Sequence, residues 1–386
     1  MLLQTLAGVL LGTITGLIPG IHPNLVATVL SNVAFDGMIT IIFITAIAHT
    51  FLNTIPTIHL SSPDPESALA LHPSQEYSQK GKAHEAVLLT LVGSVISLIF
   101  ISIMIPLMLK IIKPTYYTIE KIIPLFLLLT AIFLVLHQKN KLIALGIFVL
   151  SGIIGYVALN SQINEPLLAI FTGLFGIPAL LINSEKNVTQ QKITEPEITK
   201  DSLNTITKSL FFGSFFSFLP SVGPAQAATI QTTITKNNSK GDYLILTGCL
   251  NTVNILFSLV MLIELNKSRN GAVAVIRELG FSNLSEIFNL FALSLMILFP
   301  CTLACILLSR AFVKLRNKIS TKKLSRATII LISSITLALS GILGFIFMIV
   351  SSVIGYLPYR LKTSKTVLMG SLMIPTLIFY AKLMLN

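Results

Sequence analysis

The chain has 386 residues, of which 53% are hydrophobic and only 11% are charged. An average soluble domain carries about 25% charged residues, so the composition excludes a soluble globular fold. The formal net charge is +12. Because basic residues concentrate in the cytoplasmic loops of membrane proteins, we expect the charge to mark such loops and expect no nucleic-acid partner.

Apolar stretches near or above the roughly 20 residues that cross a bilayer recur along the chain. They cover residues 38–58, 86–109, 122–136, 142–158, 166–182, 243–263, 285–308 and 327–357. The sequence therefore predicts an all-α polytopic membrane protein, which we place in the plasma membrane as a multi-pass protein in contact with membrane lipid. The first segment lacks the basic region and the cleavage site of a signal peptide, so we expect it to belong to the mature fold.

Basic residues indicate the orientation of the chain. Loop 309–326 carries several Lys and Arg residues and no acidic residue, whereas residues 1–79 contain neither Lys nor Arg. We therefore expect loop 309–326 in the cytoplasm and the N-terminus outside. Loop 360–365 joins the cytoplasmic side if 327–358 forms a pair of short helices, whereas the lysines of loop 110–121 would fall outside.

Two proline-containing segments share one pattern. Residues 12–25 and 213–226 both follow G-x3-[GS]-x2-P-x3-P, and Leu52-Asn53-Thr54 and Leu250-Asn251-Thr252 follow them in the same order. The pattern predicts two membrane repeats, 1–185 and 208–386, joined by a charged linker at 186–207. If each segment dips in and returns on its own side, the number of crossings between the two segments is five, which is odd, so we expect the repeats to be inverted. Each repeat is expected to have a proline-broken re-entrant hairpin and about five transmembrane helices.

Each hairpin is expected to break at a proline, because proline lacks an amide donor and disrupts the helix. Pro19 and Pro220 are the predicted breaks. Half-helices that begin near Asn24 and Ala225 would present free amides and a positive dipole end, which favour a carboxylate or a phosphate. The predicted substrate-binding residues are Gly20, Ile21, His22, Pro23, Asn24, Asn53, Thr54, Ser221, Val222, Gly223, Pro224, Ala225, Asn251 and Thr252.

The coupling ion is left open between Na⁺ and H⁺. The unwound backbone carbonyls of Ile18 and Leu219 are candidate Na⁺ ligands, and His22 is either a carrier of the coupling proton or a neutral histidine that is hydrogen-bonded inside the hairpin. Arg269 and Ser62 are candidate anion contacts, although a cation at the membrane rim also serves as an anchor. No other cofactor is expected, since Cys249, Cys301 and Cys305 form no metal-binding pattern.

The order of these motifs resembles that of a known permease family. The motifs are Gly16-Leu-Ile-Pro-Gly-Ile-His-Pro-Asn24, Phe51-Leu-Asn-Thr-Ile-Pro56, Ser62-Pro-Asp-Pro-Glu-Ser-Ala-Leu-Ala70, Lys80-Gly-Lys-Ala-His-Glu-Ala-Val87, Asn251-Thr-Val-Asn254, Lys267-Ser-Arg-Asn-Gly-Ala-Val-Ala274 and the segment from Arg360 to Pro375. In this order they resemble the large membrane permease of the tripartite tricarboxylate transporter family (TctA), most closely its shorter archaeal-type members.

The resemblance implies uptake of di- or tricarboxylates driven by an ion gradient. In the bacterial systems it also implies a small membrane subunit and an extracytoplasmic binding protein. This chain is shorter than the bacterial permeases, and it has His22-Pro23 where a glycine-rich P-G-x-G-P is more usual. We therefore expect a secondary transporter of a small organic anion, with the partner proteins not required by the sequence and a homo-oligomer left open.

The sequence is compared with two other functions by its motifs, a lipid-carrier translocase and a membrane protein that transports nothing. The Pro-Gly hairpin also looks like that of polyprenyl-phosphate translocases, which makes a lipid-carrier translocase the alternative. A scaffold or an intramembrane enzyme is disfavoured, because no Asp or Glu lies centrally in a long apolar run and no nucleotide-binding glycine loop is present.

Overall fold

The computed structural model describes residues 1–19, 21–31, 33, 36–60, 71–184, 189–219, 223–235 and 239–385. All regular structure within these ranges is helical. Seven helical stretches in them are long and apolar enough to cross a membrane. The prediction of an all-α polytopic membrane protein is therefore confirmed.

The described residues of the first half form ten α-helices. They are α1 (Leu2–Leu17), α2 (Pro23–Ser31), α3 (Met38–Leu52), α4 (Thr54–His59), α5 (Leu71–Gln79), α6 (Ala83–Glu120), α7 (Ile123–Leu136), α8 (Lys141–Leu159), α9 (Pro166–Phe171) and α10 (Ile177–Ser184). A π-helical turn, Thr172–Gly176, joins α9 to α10. Helix α3 is almost wholly buried, whereas α6 exposes Ile99, Ile103, Leu107 and Ile111 in a stripe along one face. An apolar stripe of this kind is suited to contact with lipid.

Eight α-helices lie in the described part of the second half. They are α11 (Lys200–Phe216), α12 (Pro224–Thr235), α13 (Lys240–Leu265), α14 (Gly271–Glu278), α15 (Leu284–Met296), α16 (Leu298–Lys318), α17 (Thr321–Arg360) and α18 (Gly370–Leu385), with a 3₁₀ turn at Lys365–Met369 before α18. Polar caps explain several of the starts. The side chains of Ser239, Asn270 and Asn283 accept hydrogen bonds from first-turn amides of the helices that follow them.

Residues 189–199, part of the expected linker, have no regular secondary structure and are hydrogen-bonded to other parts of the chain. The backbone N–H of Gln191 donates to Asn317 Oδ1 (2.8 Å), and the backbone carbonyl of Gln191 accepts from Asn317 Nδ2 (2.9 Å). The buried Gln191 side chain also donates to the carbonyl of Ser78 and accepts from the backbone N–H of Ala83. Thr199 then caps α11, so this helix begins before residue 207, where the linker was expected to end.

Helices α1 and α3 run in the same direction. Gly8 packs against Ile44, Gly12 against Ala48 and Gly16 against Leu52, so equal steps along the two helices keep them in contact. The missing side chains allow this approach: a Cβ on Gly12 would lie 2.6 Å from the Cβ of Ala48. Because α1 and α3 are parallel, the chain that includes α2 must return between them.

Helices α11 and α13 show the same relation. Ser202 Oγ donates to Asp242 Oδ1 near the start of both helices (2.8 Å). Further along, Gly213 packs against Leu250 and Val253. The chain that includes α12 must therefore also return.

Helices α3 and α13 run in opposite directions. At the end of α4, His59 contacts Ser309, which also contacts His84 at the start of α6. That start lies beside the start of α13, since a Cβ on Gly241 would lie 3.6 Å from Leu89 Cδ1. The stretch α3–α4 thus ends where α13 begins, and the two cross where Thr252 Oγ1 donates to Thr50 Oγ1 (3.3 Å).

Helix α17 reverses at Gly341, whose φ of 70° and ψ of −173° are readily adopted only by glycine. Before this residue, Ile332 contacts α10 and Ser340 Oγ donates to the carbonyl of Glu165. After it, Gly344 contacts Ile163 and Gly355 packs against Leu174, so the second arm runs back along the same chain segment. Two helices therefore occupy the expected stretch 327–358, and loop 360–365 returns to the end that carries the basic residues of α16.

Glycines also join the later helices of the two halves. Gly155 of α8 packs against Ser371 of α18, and Gly355 of α17 packs against Leu174 of the π-helical turn. These residues lie in similar sequences. Ser151-Gly-Ile-Ile-Gly-Tyr156 matches Ser351-Ser-Val-Ile-Gly-Tyr356, and Gly173-Leu-Phe-Gly-Ile-Pro-Ala-Leu180 matches Gly370-Ser-Leu-Met-Ile-Pro-Thr-Leu377. Each half thus contributes one partner to each contact.

A Gly155→Ala substitution is expected to destabilise the protein, because its Cβ would lie 1.9 Å from the carbonyl oxygen of Ser371. Overpacking of this kind costs about 1–3 kcal/mol. The matched control is Gly146→Ala on the same helix, where a Cβ would meet nothing within 4 Å. The thermal midpoint of the monodisperse protein in detergent should fall for the first variant only. Equal midpoints for the two variants would contradict the packing between α8 and α18.

Candidate functional site

The predicted breaks lie between α1 and α2 and between α11 and α12. Helix α1 ends at Leu17, and Ile18 is extended, with φ −95° and ψ 109°. The backbone N–H of Ile21 donates to the Ile18 carbonyl (3.2 Å), and the backbone N–H of Asn24 donates to His22 Nδ1 (3.3 Å). Helix α2 begins at Pro23, where a missing amide costs least because the first helical amides have no partner within the helix.

The second break has a similar start and end. Helix α11 ends at Phe216, the backbone N–H of Leu219 donates to the Phe216 carbonyl (2.9 Å), and α12 begins at Pro224. Gly223 precedes that proline directly. Gly20, Pro220, Ser221, Val222 and Ser62 lie outside the described residues.

A short segment between α13 and α14, residues 266–272, folds back along α13. Asn266 closes α13 in the left-handed conformation, with φ 52°. The backbone N–H groups of Arg269 and Asn270 both donate to Ser258 Oγ, at 2.8 and 3.1 Å. We call residues 266–272 the connector.

The connector contacts both breaks. Arg269 Nη2 donates to the carbonyl of Phe218 (2.5 Å), just before the second break. The backbone N–H of Ala272 donates to Asn24 Oδ1 (2.9 Å), just after the first break. Gly271 lies directly against the Asn24 side chain, where a Cβ would approach Cγ to 2.6 Å. One short segment therefore brings the two breaks and the N-terminal ends of α2 and α14 into one region.

Arg269 supplies a partly buried positive charge in this region. Burial lowers the pKa of its guanidinium, and interactions with Tyr116 and Tyr380 oppose that shift. The group stays protonated, because an arginine side chain does not lose its proton in proteins. Its Nε is buried and has no hydrogen-bond partner among the described residues. The guanidinium therefore has capacity to donate to an anion.

Lys267 and Glu120 form an ion pair near Arg269. Lys267 Nζ donates to Tyr116 Oη (2.9 Å) and to Glu120 Oε1 (2.5 Å). The ring of Tyr116 packs on that of Phe218, with centroids 6.2 Å apart. Because Lys267 already has a carboxylate partner, Arg269 is the better candidate for a bound anion.

The two Leu-Asn-Thr motifs lie on the stretch α3–α4 and on α13, which we call the central helices. Asn53, Thr54, Asn251 and Thr252 are all buried. Thr252 bonds to Thr50, which joins the two central helices. Thr54 Oγ1 and Asn251 Oδ1 have no hydrogen-bond partner in the described ranges. Buried polar atoms are usually satisfied, so these two are candidates for a ligand or for water.

His49 was missed by the sequence reasoning. It is buried on α3, its Nδ1 lies 3.1 Å from Thr15 Oγ1, and its ring centroid lies 5.2 Å from that of His22. Its position, one helical turn before Asn53, was the available signal. Ser258 was also missed. Its hydroxyl oxygen accepts from the connector, a contact that only the folding back of the connector along α13 creates.

The predicted Na⁺ ligands differ in their surroundings. The Ile18 carbonyl accepts one hydrogen bond, which leaves a lone pair for an ion. At the second break, the Arg269 guanidinium binds the Phe218 carbonyl next to Leu219. A cation at Leu219 would therefore be opposed by a neighbouring positive charge. No cluster of three or more metal-binding side chains occurs in the described part of the chain.

Comparison with known proteins identifies the family of the chain. Residues 2–370 match the model of the tripartite tricarboxylate transporter TctA family. The chain belongs to that family. The resemblance stated from the motifs is thus confirmed, and this TctA-family chain is a multi-pass membrane protein of a transporter family.

A curated relative covers nearly the same length. The TctA-family chain is 30% identical over 363 residues to an uncharacterized protein, MJ1079, of Methanocaldococcus jannaschii. The match includes 90% of this chain and 89% of the relative. No solved structure matches the chain.

Asn24→Ala is expected to loosen the connector and the start of α14, because it removes one of the two side-chain oxygens that accept from the backbone N–H of Ala272, the other being Asn270 Oδ1. Loss of a capping acceptor costs about 0.5–2 kcal/mol. Hydrogen–deuterium exchange of residues 271–279 should accelerate in this variant and much less in Asn24→Asp, which keeps the acceptor.

The matched control is Asn283→Ala, which removes the exposed cap of α15. It should accelerate exchange at the start of α15 and leave residues 271–279 unchanged. Unchanged exchange of residues 271–279 in Asn24→Ala would show that Asn24 does not hold the connector.

Proposed function

We propose that this protein is a secondary active transporter of a small organic anion, such as a di- or tricarboxylate, in the plasma membrane. The connector is the observation that carries the proposal. It hydrogen-bonds to both breaks, through Arg269 and Ala272, and so brings a positive charge and two helix starts to one region. A carboxylate is stabilised by this combination of a guanidinium and positive dipole ends.

The transport mechanism rests on two inverted repeats with re-entrant hairpins, expected at 1–185 and 208–386. The last residues of the expected linker between them, 186–207, form the start of α11, which belongs to the second repeat. Three observations support this division. The helix before each break is parallel to the central helix of its own half, the central helices are antiparallel, and the matching glycine motifs of α8 and α17 make matching contacts. Inverted repeats allow the two halves to exchange conformations, which exposes one site alternately to either side.

The site residues divide the task by chemistry. Arg269 neutralises one carboxylate, and the first-turn amides that follow Pro23 and Pro224 donate hydrogen bonds to a second. Asn251 and Thr54 supply neutral hydrogen bonds from the central helices. Ile21, Gly223 and Ala225 contribute backbone groups at the breaks, Thr252 holds the helix crossing, and His22 and Asn53 complete the polar lining. Gly20, Ser221 and Val222, which lie outside the described residues, stay predicted site residues.

The coupling ion is either Na⁺ or H⁺, and a proton is favoured. His22 and His49 lie in contact beside the first break, and a histidine is the side chain best suited to exchange a proton near neutral pH. The guanidinium next to Leu219 disfavours Na⁺ at the second break. A Na⁺ site at Ile18 is the alternative.

The partners follow from the name of the family, whose systems are tripartite. A small membrane subunit and an extracytoplasmic binding protein are therefore candidate partners of this chain, together with membrane lipid. The oligomeric state, which includes a homo-oligomer, is open to direct measurement.

Arg269→Gln is expected to reduce counterflow of radiolabelled citrate and succinate in proteoliposomes at least about tenfold, because loss of a buried charge contact costs about 2–5 kcal/mol. Arg269→Lys keeps the charge and should retain part of the activity. The matched control is Arg277→Gln, an exposed arginine on α14, which should transport like the wild type.

Thermal stability in detergent separates loss of binding from loss of folding for these variants. Counterflow of undecaprenyl phosphate without counterflow of either carboxylate would replace the proposal by the polyprenyl-phosphate alternative. Full activity of Arg269→Gln with a carboxylate would remove Arg269 from the site.

A further inference from the structure

A second polar cluster lies away from the breaks, at the end of the molecule that carries Arg310, Lys314 and Arg316 of α16. We call this the basic end. His59 of α4, His84 of α6 and Ser309 of α16 are each buried, with exposures of 1%, 0% and 0%. His59 Nε2 lies 3.1 Å from Ser309 Oγ, and His84 Nδ1 lies 2.8 Å from the same oxygen. We call these three residues the His-Ser-His trio.

The hydrogen bonds of the trio depend on where its protons lie. Ser309 has one hydroxyl proton, so it can donate to only one imidazole and must accept from the other. The two bonds can therefore point from His59 to His84 or from His84 to His59. The outer atoms, His59 Nδ1 and His84 Nε2, are buried and have no hydrogen-bond partner within the described ranges. The chain of bonds is thus open at both ends.

Charged side chains face the trio from two elements. The positive charge of Arg316 on α16 faces His59, and Arg310 on α16 and Glu195 of the linker face His84. The ring of Phe312 covers His59, with centroids 5.7 Å apart. Neither imidazole is hydrogen-bonded to a carboxylate in the described part of the chain. The trio therefore lacks the carboxylate partner that would retain a proton on one ring.

We propose that the His-Ser-His trio is a proton relay that connects the transport site with the cytoplasm. This inference rests on the proposed transport function and names the proton as the coupling ion. His59 lies on the same continuous stretch, α3–α4, as His49, roughly three helical turns further along. The trio is thus placed between the histidines of the first break and the basic end of the molecule.

Proton transfer through the trio conserves charge and atoms. A proton binds His59 Nδ1, the proton on His59 Nε2 passes to Ser309 Oγ, and the hydroxyl proton of Ser309 passes to His84 Nδ1. The proton on His84 Nε2 then leaves. One proton enters and one leaves, and the bonds afterwards point the other way. Transfer in reverse, or reorientation of the rings, restores the first arrangement.

Ser309→Ala tests the relay, because it removes the central hydroxyl and keeps both histidines. In proteoliposomes, counterflow of citrate or succinate needs no net proton movement and should stay at the wild-type rate. Accumulation of the same probe driven by a pH gradient should fall at least about tenfold. The matched control is Ser294→Ala on α15, a fully buried serine that bonds only to its own helix, and it should change neither rate.

The two rates separate a relay from a structural role. Unchanged gradient-driven accumulation in Ser309→Ala would overturn the relay, and so would an equal loss of counterflow and accumulation. Accumulation that depends on Na⁺ and not on the pH gradient in the wild type would also overturn it.

A measurement without a transported probe keeps the relay testable if the proposed function fails. With ¹⁵N-labelled histidine, the rings of His59 and His84 in the wild-type protein should exchange between their two tautomers. Ser309→Ala should abolish this exchange, and Ser294→Ala should preserve it. Fixed tautomers in the wild type would exclude the relay whatever the transport assays show, whereas absence of counterflow with citrate, succinate and undecaprenyl phosphate would reject only the proposed function.

Discussion

The architecture depends on the requirement that backbone polar groups inside a membrane find partners within the protein. Each unpaired group costs several kcal/mol in hydrocarbon, so a broken helix is tolerated only where other parts of the chain bind it or where water enters. Here the partners are specific. Arg269 donates to the carbonyl of Phe218 at one break, and Asn24 at the other break accepts from the first turn of α14. The same groups that satisfy the breaks also bring a positive charge and polar side chains beside them.

Small residues allow the close helix contacts that this arrangement requires. Helix association in a membrane gains little from the hydrophobic effect, so it relies on tight packing and interhelical hydrogen bonds. Gly8, Gly12 and Gly16 let α1 approach α3 backbone to backbone, and Gly248 lets α13 approach the carbonyl of Thr90 on α6. Added methyl groups at these positions would separate the helices and move the breaks away from the connector.

Two groups of buried polar side chains differ in their chemistry. Near the breaks, Arg269, Asn24, Asn251 and the pair of His22 and His49 combine positive charge with neutral donors, which suits an anion and an exchangeable proton. At the basic end, the His-Ser-His trio contains no fixed positive charge of its own and is linked only by hydrogen bonds. We infer that the group near the breaks binds the substrate and the coupling proton, and that the His-Ser-His trio conducts that proton to the basic end.

Much of this protein was determined by its sequence alone. Long apolar runs require a membrane. Paired prolines interrupt a helix whatever the tertiary structure around them, because proline lacks an amide donor. The same motifs indicated the TctA family, and the central Asn and Thr residues were identified by their repetition in both halves. The match of Ser151–Tyr156 with Ser351–Tyr356 was also present in the sequence, but the turn at Gly341 had to be seen before the two could be aligned. Only the tertiary structure brought Arg269 to Phe218, His22 to His49, and His59 to His84 through Ser309. Those contacts join residues far apart in the chain and depend on helix directions and on glycine-mediated approach, neither of which a local pattern specifies.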